Sequence, residues 1–254
     1  MISPKEKQRI SRQLVLPGFG VAAQERLASA HVVVIGAGGL GGPLLLSLAG
    51  AGVGKVTIVD DDEVSLSNIS RQILFNVGDI GESKARLAAE KLSKMHPDGS
   101  FLAVTENFSP ENALKLASDA DLLVEASDNF NTKFLSADVA EVTSTPLVWG
   151  SVLRFEGQVG LCWSGERVVD GVGFRDLHPE QPSSDLIPDN AKVGVLGAST
   201  GVIGNLMATE VIKFIVGVGD SRPGLLLSYD AMSARLIRSQ VVANSSRRQL
   251  RKLG

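Results

Sequence analysis

Gly36-Ala-Gly38-Gly39-Leu40-Gly41 satisfies G-x-G-x-x-G, and Asp60, Asp62, Asn68, Arg71, Lys84, Asp128 and Asn129 follow it along the chain. Glycines permit a tight turn and let the backbone approach a ligand closely, and free N–H groups at the start of the next helix bind phosphate. An acid about 20 residues beyond the first glycine is the expected partner of ribose hydroxyls. Asp60 holds that place. On the loop and Asp60 alone, an NAD(P)-dependent oxidoreductase is the leading reading. Arg71 and Lys84 pull away from it. Two cations and a carboxylate suit phosphate chemistry, in which Arg and Lys neutralise phosphate oxygens and Asp128 holds Mg2+. Hydride transfer has no need of that set. Asp61 and Glu63 read as loop charge, with Asp62 the member of that run most able to contribute beside Asp60.

These residues need a scaffold, and the hydrophobic pattern supplies one. HVVVI, KVTIVD, FLAVTENF, DLLVEASDN and PLVWG read as strands, with Asp60 ending the second and Asp128 the fourth. Helices are predicted over GPLLLSLAGAG, with Pro43 in its first turn, over Glu82 to Lys94, and over SPENALKLASDA, with Ser109 as N-cap. Alternation of this kind argues for α/β architecture: a Rossmann-like, doubly wound, mostly parallel sheet. The named residues then fall at carboxyl ends of strands, where such sheets bind ligands. After Gly150 the pattern changes. VLRFEGQVGLCW and LLLSYDAMSARLIRSQVV read as C-terminal antiparallel strands. Residues 164 to 195 form a long crossover loop, STGVIGNLMATEVIKFIVG is a buried core helix, and the basic tail SSRRQLRKLG is expected to be solvated and frayed.

Bulk properties narrow the setting. The chain has 254 residues, 21% charged, with a net charge of −3. Such a balance gives no electrostatic case for nucleic acid or an anionic membrane. Residues 32 to 54 carry no charge, yet glycines and Pro43 break the run, so strand, turn and helix explain it better than a membrane span. The N-terminus has no apolar secretory core, and one cysteine, Cys162, allows no intrachain disulfide. A reducing, cytoplasmic setting is expected. His31, His96 and His178 are scattered and read as surface or loop residues; Trp149 and Trp163 read as core or partner-contact residues.

RISRQLVLPGFG, GAGGLGG, DDDEVSLSNISRQ, GESK, SDN, PLVWGSVLRFEGQ, PEQPSSDLIPDNAKVGVLG and GVIGNLMATEVIKF together cover most of the chain. This set resembles the MoeB/ThiF branch of the ubiquitin-activating superfamily. The resemblance implies a single adenylation domain over 1–254, with a nucleotide-binding half at about 28–150 and a carrier-binding half at about 151–245. It implies ATP-dependent adenylation of the C-terminal glycine of a ubiquitin-like sulfur carrier protein ending in Gly-Gly, of thiamine or molybdopterin type. Gly36, Gly38, Gly39 and Gly41 would approach the nucleotide, Asp60 would take its ribose hydroxyls with Asp62 a further candidate at the nucleotide site, and Asn68, Arg71 and Lys84 would meet the triphosphate. Asp128, with Asn129, would lie near the phosphates and Mg2+. Arg12 would reach into the partner subunit's site, which implies a homodimer. Lys133 stands where many relatives have arginine, keeping the charge without the bidentate fork.

The chain departs from that pattern in two places. Gly173 and Asp176 replace the first Cys-x-x-Cys pair of many relatives, and NSSRRQL in the tail has no cysteine for the second. A tetrathiolate zinc site is therefore not expected, and the crossover loop is expected to be more mobile without it. Asn190 occupies the place of a thiol that relatives often carry. Cys162, in a strand, reads as buried and inert. Adenylation would then stand alone, with sulfur delivered by a separate sulfurtransferase. The competing readings are a non-catalytic binding partner of the same descent and the oxidoreductase.

Overall fold

Val32–Ile35 is a β-branched run with no polar face, and the chain accordingly buries it on both sides in β1 (His31–Ile35). In the computed structural model, which describes residues 2–183, 193–247 and 249–253, three helices precede it: α1 (Pro4–Arg9), α2 (Ser11–Leu14) and α3 (Gly20–Ser29). There follow α4 (Gly41–Ala51), β2 (Lys55–Val59), α5 (Lys84–Met95), β3 (Ser100–Val104), α6 (Pro110–Ala117), β4 (Leu122–Glu125) and α7 (Phe130–Thr143). The rest comprises β5 (Leu147–Leu153), β6 (Glu156–Cys162), α8 (Phe174–Leu177), α9 (Gly197–Val216), β7 (Leu225–Asp230) and β8 (Arg235–Gln240).

The strands form one eight-stranded sheet in the order β3-β2-β1-β4-β5-β6-β7-β8. The first five are parallel and the remainder antiparallel. Chain order reverses between β1 and β4, so their carboxyl ends flank the crevice where a doubly wound sheet binds ligands. Side chains alternate across the sheet. Val32, Val34, Ile58, Val124 and Val148 pack under α4, α5 and α9, while Val33, Ile35, Leu123, Leu147 and Trp149 pack against Phe134, Ala137 and Phe174 on the other face.

Several expectations need correction. β4 ends at Glu125, so Asp128 lies in the following loop and not on the strand. PLVWG and the start of VLRFEG form one continuous strand, β5, which turns into β6 at Arg154 with φ 55°. Helix α7 went unpredicted because its buried side includes Lys133, Ser136 and Glu141, which disguise it as polar. His96 is not a surface residue: it is 3% exposed, against Phe101 and Glu6. Helix α9 is long and apolar enough to span a membrane by composition, but it packs on α4, β5 and β6.

Candidate functional site

Three threads of contact converge on the glycine loop between β1 and α4. The first runs through Asp60. Its N–H donates to the Val104 carbonyl at 3.1 Å, fixing the residue just past β2. One carboxylate oxygen then accepts the Ala37 N–H at 2.7 Å, inside the glycine loop, and the other accepts the Asp62 N–H at 3.0 Å. Burial pushes the Asp60 carboxyl above its usual range, against the opposing pull of the Ala37 N–H and the Lys84 ammonium. Lys84, first residue of α5 and 4% exposed, donates to Asp62 at 2.6 Å from Nζ and to the Asp62 carbonyl at 3.0 Å from its N–H. Asp62 therefore holds Lys84 beside Asp60. Ser83 caps this helix, which is why the sequence places the lysine at its mouth.

The second thread comes from α9. The Thr200 hydroxyl donates to the Arg71 carbonyl at 3.3 Å, and a Cβ on Gly39 would stand 3.2 Å from the Thr200 methyl. A side chain there would force the Thr200 methyl to give by a few tenths of an ångström, so glycine is the easiest fit. The Arg71 guanidinium is steadied by the Ser67 carbonyl at 2.9 Å. Asn68, buried, spends its side-chain oxygen on the Ser65 N–H at 3.2 Å and its carbonyl on Arg71 and Gln72, so it shapes the turn that carries the arginine. Gln72 is 4% exposed beside Gly38, and its side-chain carbonyl has no protein partner. A buried acceptor beside a glycine cradle fits a bound molecule with hydroxyl or amino donors, as a nucleotide has.

The third thread crosses the switch point. Gly36 takes φ 96°, and a Cβ there would meet the Ala126 carbonyl carbon at 2.9 Å. The loop after β4 is thus seated directly on the loop after β1. It presents Asp128 and Asn129, both exposed, and the Asn129 side chain caps α7 by accepting the Thr132 N–H at 2.7 Å. Gly41 opens α4, whose N-terminus has no side-chain cap, leaving N–H groups of the kind that bind anions. Lys133 does not reach outward; it is buried and paired with Glu125.

One predicted residue stays apart. Arg12 lies exposed on α2, whose neighbour Gln13 donates to the Ala51 carbonyl at 3.1 Å, the far end of α4 from the glycine loop. That helix has 11 residues, about 16 Å. The fold does not bring Arg12 to its own chain's loop.

The departures from the family pattern also acquire a structure. Asp176, on α8, accepts Arg247 Nε at 2.9 Å, the Asn244 N–H at 3.0 Å and the Gly173 N–H at 2.7 Å. Arg247 also donates to both oxygens of Glu141 on α7, at 3.0 and 2.8 Å, and the Leu250 N–H adds a bond at 2.8 Å. The tail expected to be solvated is tied down by charge, through the segment where cysteines were absent. On the crossover loop the structure describes α8 and its ties, while Asn190 lies outside the described residues. Among the described residues, no group of three or more His, Cys, Asp or Glu is placed to hold a metal. Cys162 is buried against Trp149, and burial pushes its thiol up to about 12. A thiol so far above neutrality supplies no thiolate nucleophile.

Sequence reasoning missed Thr200 and Glu125. Their signal lies in tertiary contacts, and α9 was read as plain core.

Fold and site together define a doubly wound α/β protein of the nucleotide-binding type, with cations and carboxylates set around a glycine loop at the switch point. The chain belongs to the ThiF family, whose model matches residues 10–250. It is 43% identical over 231 residues to "Probable adenylyltransferase/sulfurtransferase MoeZ" of Mycobacterium tuberculosis, a match covering 91% of this chain and 59% of that protein. It is 42% identical over 234 residues to "Sulfur carrier protein adenylyltransferase" of Thermus thermophilus, covering 91% of this chain and 85% of that one. Among solved structures, E. coli MccB with MccA-N7isoASN superposes with a TM-score of 0.81 at 20% identity, over 97% of this chain and 75% of that chain. At that identity the likeness speaks for the fold.

Proposed function

We propose that this chain is an adenylyltransferase that uses ATP to activate the C-terminal glycine of a ubiquitin-like sulfur carrier protein, of thiamine or molybdopterin type. The observation that carries the reading is the convergence of Asp60 with Lys84, Arg71 with Thr200, and the Asp128 loop on one glycine turn. The carrier's terminal carboxylate attacks the α-phosphate of ATP; its C–O–P bond forms as the bond to pyrophosphate breaks. No general base is needed, because the carboxylate is ionised at neutral pH. The protein's work is to hold two anions together and neutralise the phosphates. Asp60 takes the ribose, Arg71 and Lys84 the phosphates. Mg2+ held by Asp128 fits a site with few carboxylates, since this ion usually combines one or two of them with substrate phosphates, and it supplies further charge neutralisation.

Arg12 serves the partner's site in a homodimer. This is supported by its distance from its own loop and by exposed Val15, Leu16 and Val21 near it, with Leu66, Ile73 and Val77 near Arg71. Cys162 takes no part, so sulfur comes from a separate sulfurtransferase. The reaction runs in the cytoplasm.

The test is carrier-dependent ATP–pyrophosphate exchange with purified Gly-Gly-ended carriers. Arg71→Ala and Asp128→Ala are each expected to lower exchange at least about 100-fold while the melting temperature holds. Exchange absent with every carrier despite ATP binding would favour a non-catalytic binding role.

A further inference from the structure

Glu125 ends β4 at 0% exposure, and Lys133 lies in the first turns of α7 at 6%. The lysine ammonium donates to one oxygen of Glu125 and, at 2.8 Å, to the Gly150 carbonyl on β5. The other Glu125 oxygen accepts the Ser127 N–H at 2.8 Å and the Ser127 hydroxyl. Removing two charges from water costs several kcal/mol per ion, and an apolar pair of similar volume is often as stable or more so. Stability alone therefore gives no reason to keep this pair.

Its position gives one. The segment from Ser127 to Asn129 is fixed at its start by Glu125 and at its end by the Asn129 cap on Thr132. Asp128 stands between those two anchors, and Ala126 just before them packs on Gly36. Through Gly150, Lys133 also ties this loop to β5, the strand that leads from the parallel to the antiparallel half of the sheet. Carboxylate, ammonium and hydroxyl thus form one rigid support under a single exposed acid.

We propose that Glu125 and Lys133 are positioning residues, holding the Ser127–Asn129 loop so that Asp128 meets the metal–nucleotide complex in one geometry. The inference rests on the reading of the site given above. Neither residue touches the nucleotide; both act through the loop. Partners behind a metal-binding group commonly alter metal affinity 10- to 100-fold when removed.

The experiment uses the full chain and measures ATP affinity by calorimetry, first in EDTA and then across a MgCl2 series. Glu125→Gln with Lys133→Met removes both charges at similar volume. This double variant should bind metal-free ATP within about 2-fold of wild type and need about 10-fold more Mg2+ for half-maximal tightening. Lys133→Arg, which keeps the charge, should follow wild type. Ser127→Ala should shift the Mg2+ requirement a few-fold in the same direction, which keeps the test available if the double variant fails to fold. A wild-type Mg2+ profile in the double variant, or in Ser127→Ala if only that folds, overturns the proposal. So does a Lys133→Arg variant that needs as much Mg2+ as the double variant. Absence of ATP binding by the wild-type chain itself overturns instead the functional reading beneath it.

Discussion

At its N-terminal end α7 meets Glu125 through Lys133; at its C-terminal end Glu141 meets Arg247, which also holds Asp176. Both networks bury charge, and both tie α7 to something distant. They differ in what hangs from them. The first supports a short loop with an exposed acid at the carboxyl ends of the strands. The second closes the C-terminal tail over α8, and it sets a cation near a helix C-terminus, where the helix dipole favours one. The same chemistry thus serves geometry at one end and closure at the other. Function should be sensitive to the first and stability to the second.

The largest effect that would test this division is expected from Arg247→Ala. It leaves Glu141 and Asp176 buried without their cation, a change that typically costs about 3–5 kcal/mol. For a chain of this size that corresponds to a fall in melting temperature of roughly 6–20 °C. Thermal unfolding followed by circular dichroism checks the loss, and Mg2+-dependent ATP affinity below the transition should hold within about 2-fold. Affinity that collapses together with stability breaks the distinction between the two ends.

A smaller effect concerns pH. Burial opposes the charge on Asp176, yet Arg247 and the N–H groups of Asn244 and Gly173 outweigh it and hold the carboxyl below its ordinary value. A lowered folded-state value means that the unfolded chain binds the proton more readily. The stabilisation is therefore full above the ordinary carboxylate range, near pH 4, and is lost as pH falls through the depressed value. Asp176→Asn should flatten the dependence of melting temperature on pH below about 4. An unchanged acid limb would show that the tail clamp does not depend on this carboxylate.

The smallest effect is expected between the two networks, in the apolar layer of Trp149, Phe134, Phe174 and Cys162. With its thiol near 12, Cys162 should resist iodoacetamide in the native protein at pH 8. Cys162→Ala should keep pyrophosphate exchange within about 2-fold, at a stability cost of about 1 kcal/mol. Loss of exchange would bring a nucleophile into a layer assigned here to packing alone.

The strands, α4, α5, α6 and the glycine loop were legible because each is written in consecutive residues: apolar runs, caps and turns. Asp60 was legible as the end of a strand, one residue beyond where β2 stops at Val59, and Lys84 as the opening of a helix. Helix α7 was not, since Lys133 and Glu141 count as surface residues in any local pattern, and only their partners make them core. The tail was misread for the same reason: Arg247 looks solvated until Glu141 and Asp176, far back in the chain, come into contact with it. Thr200 was hidden inside a helix whose apolar pattern signals only burial.

The sequence by itself determined the layered α/β plan, the position of the glycine turn and the kinds of charge around it, because local periodicity and residue chemistry suffice for these. Tertiary structure alone decided that β4 stops at Glu125 and that the Asp128 loop rests on Gly36. It alone placed Arg12 at the far end of α4 from its own loop. Those outcomes depend on which buried charges find partners across the sheet, and pairing energies of that kind arise only when distant segments exclude water together.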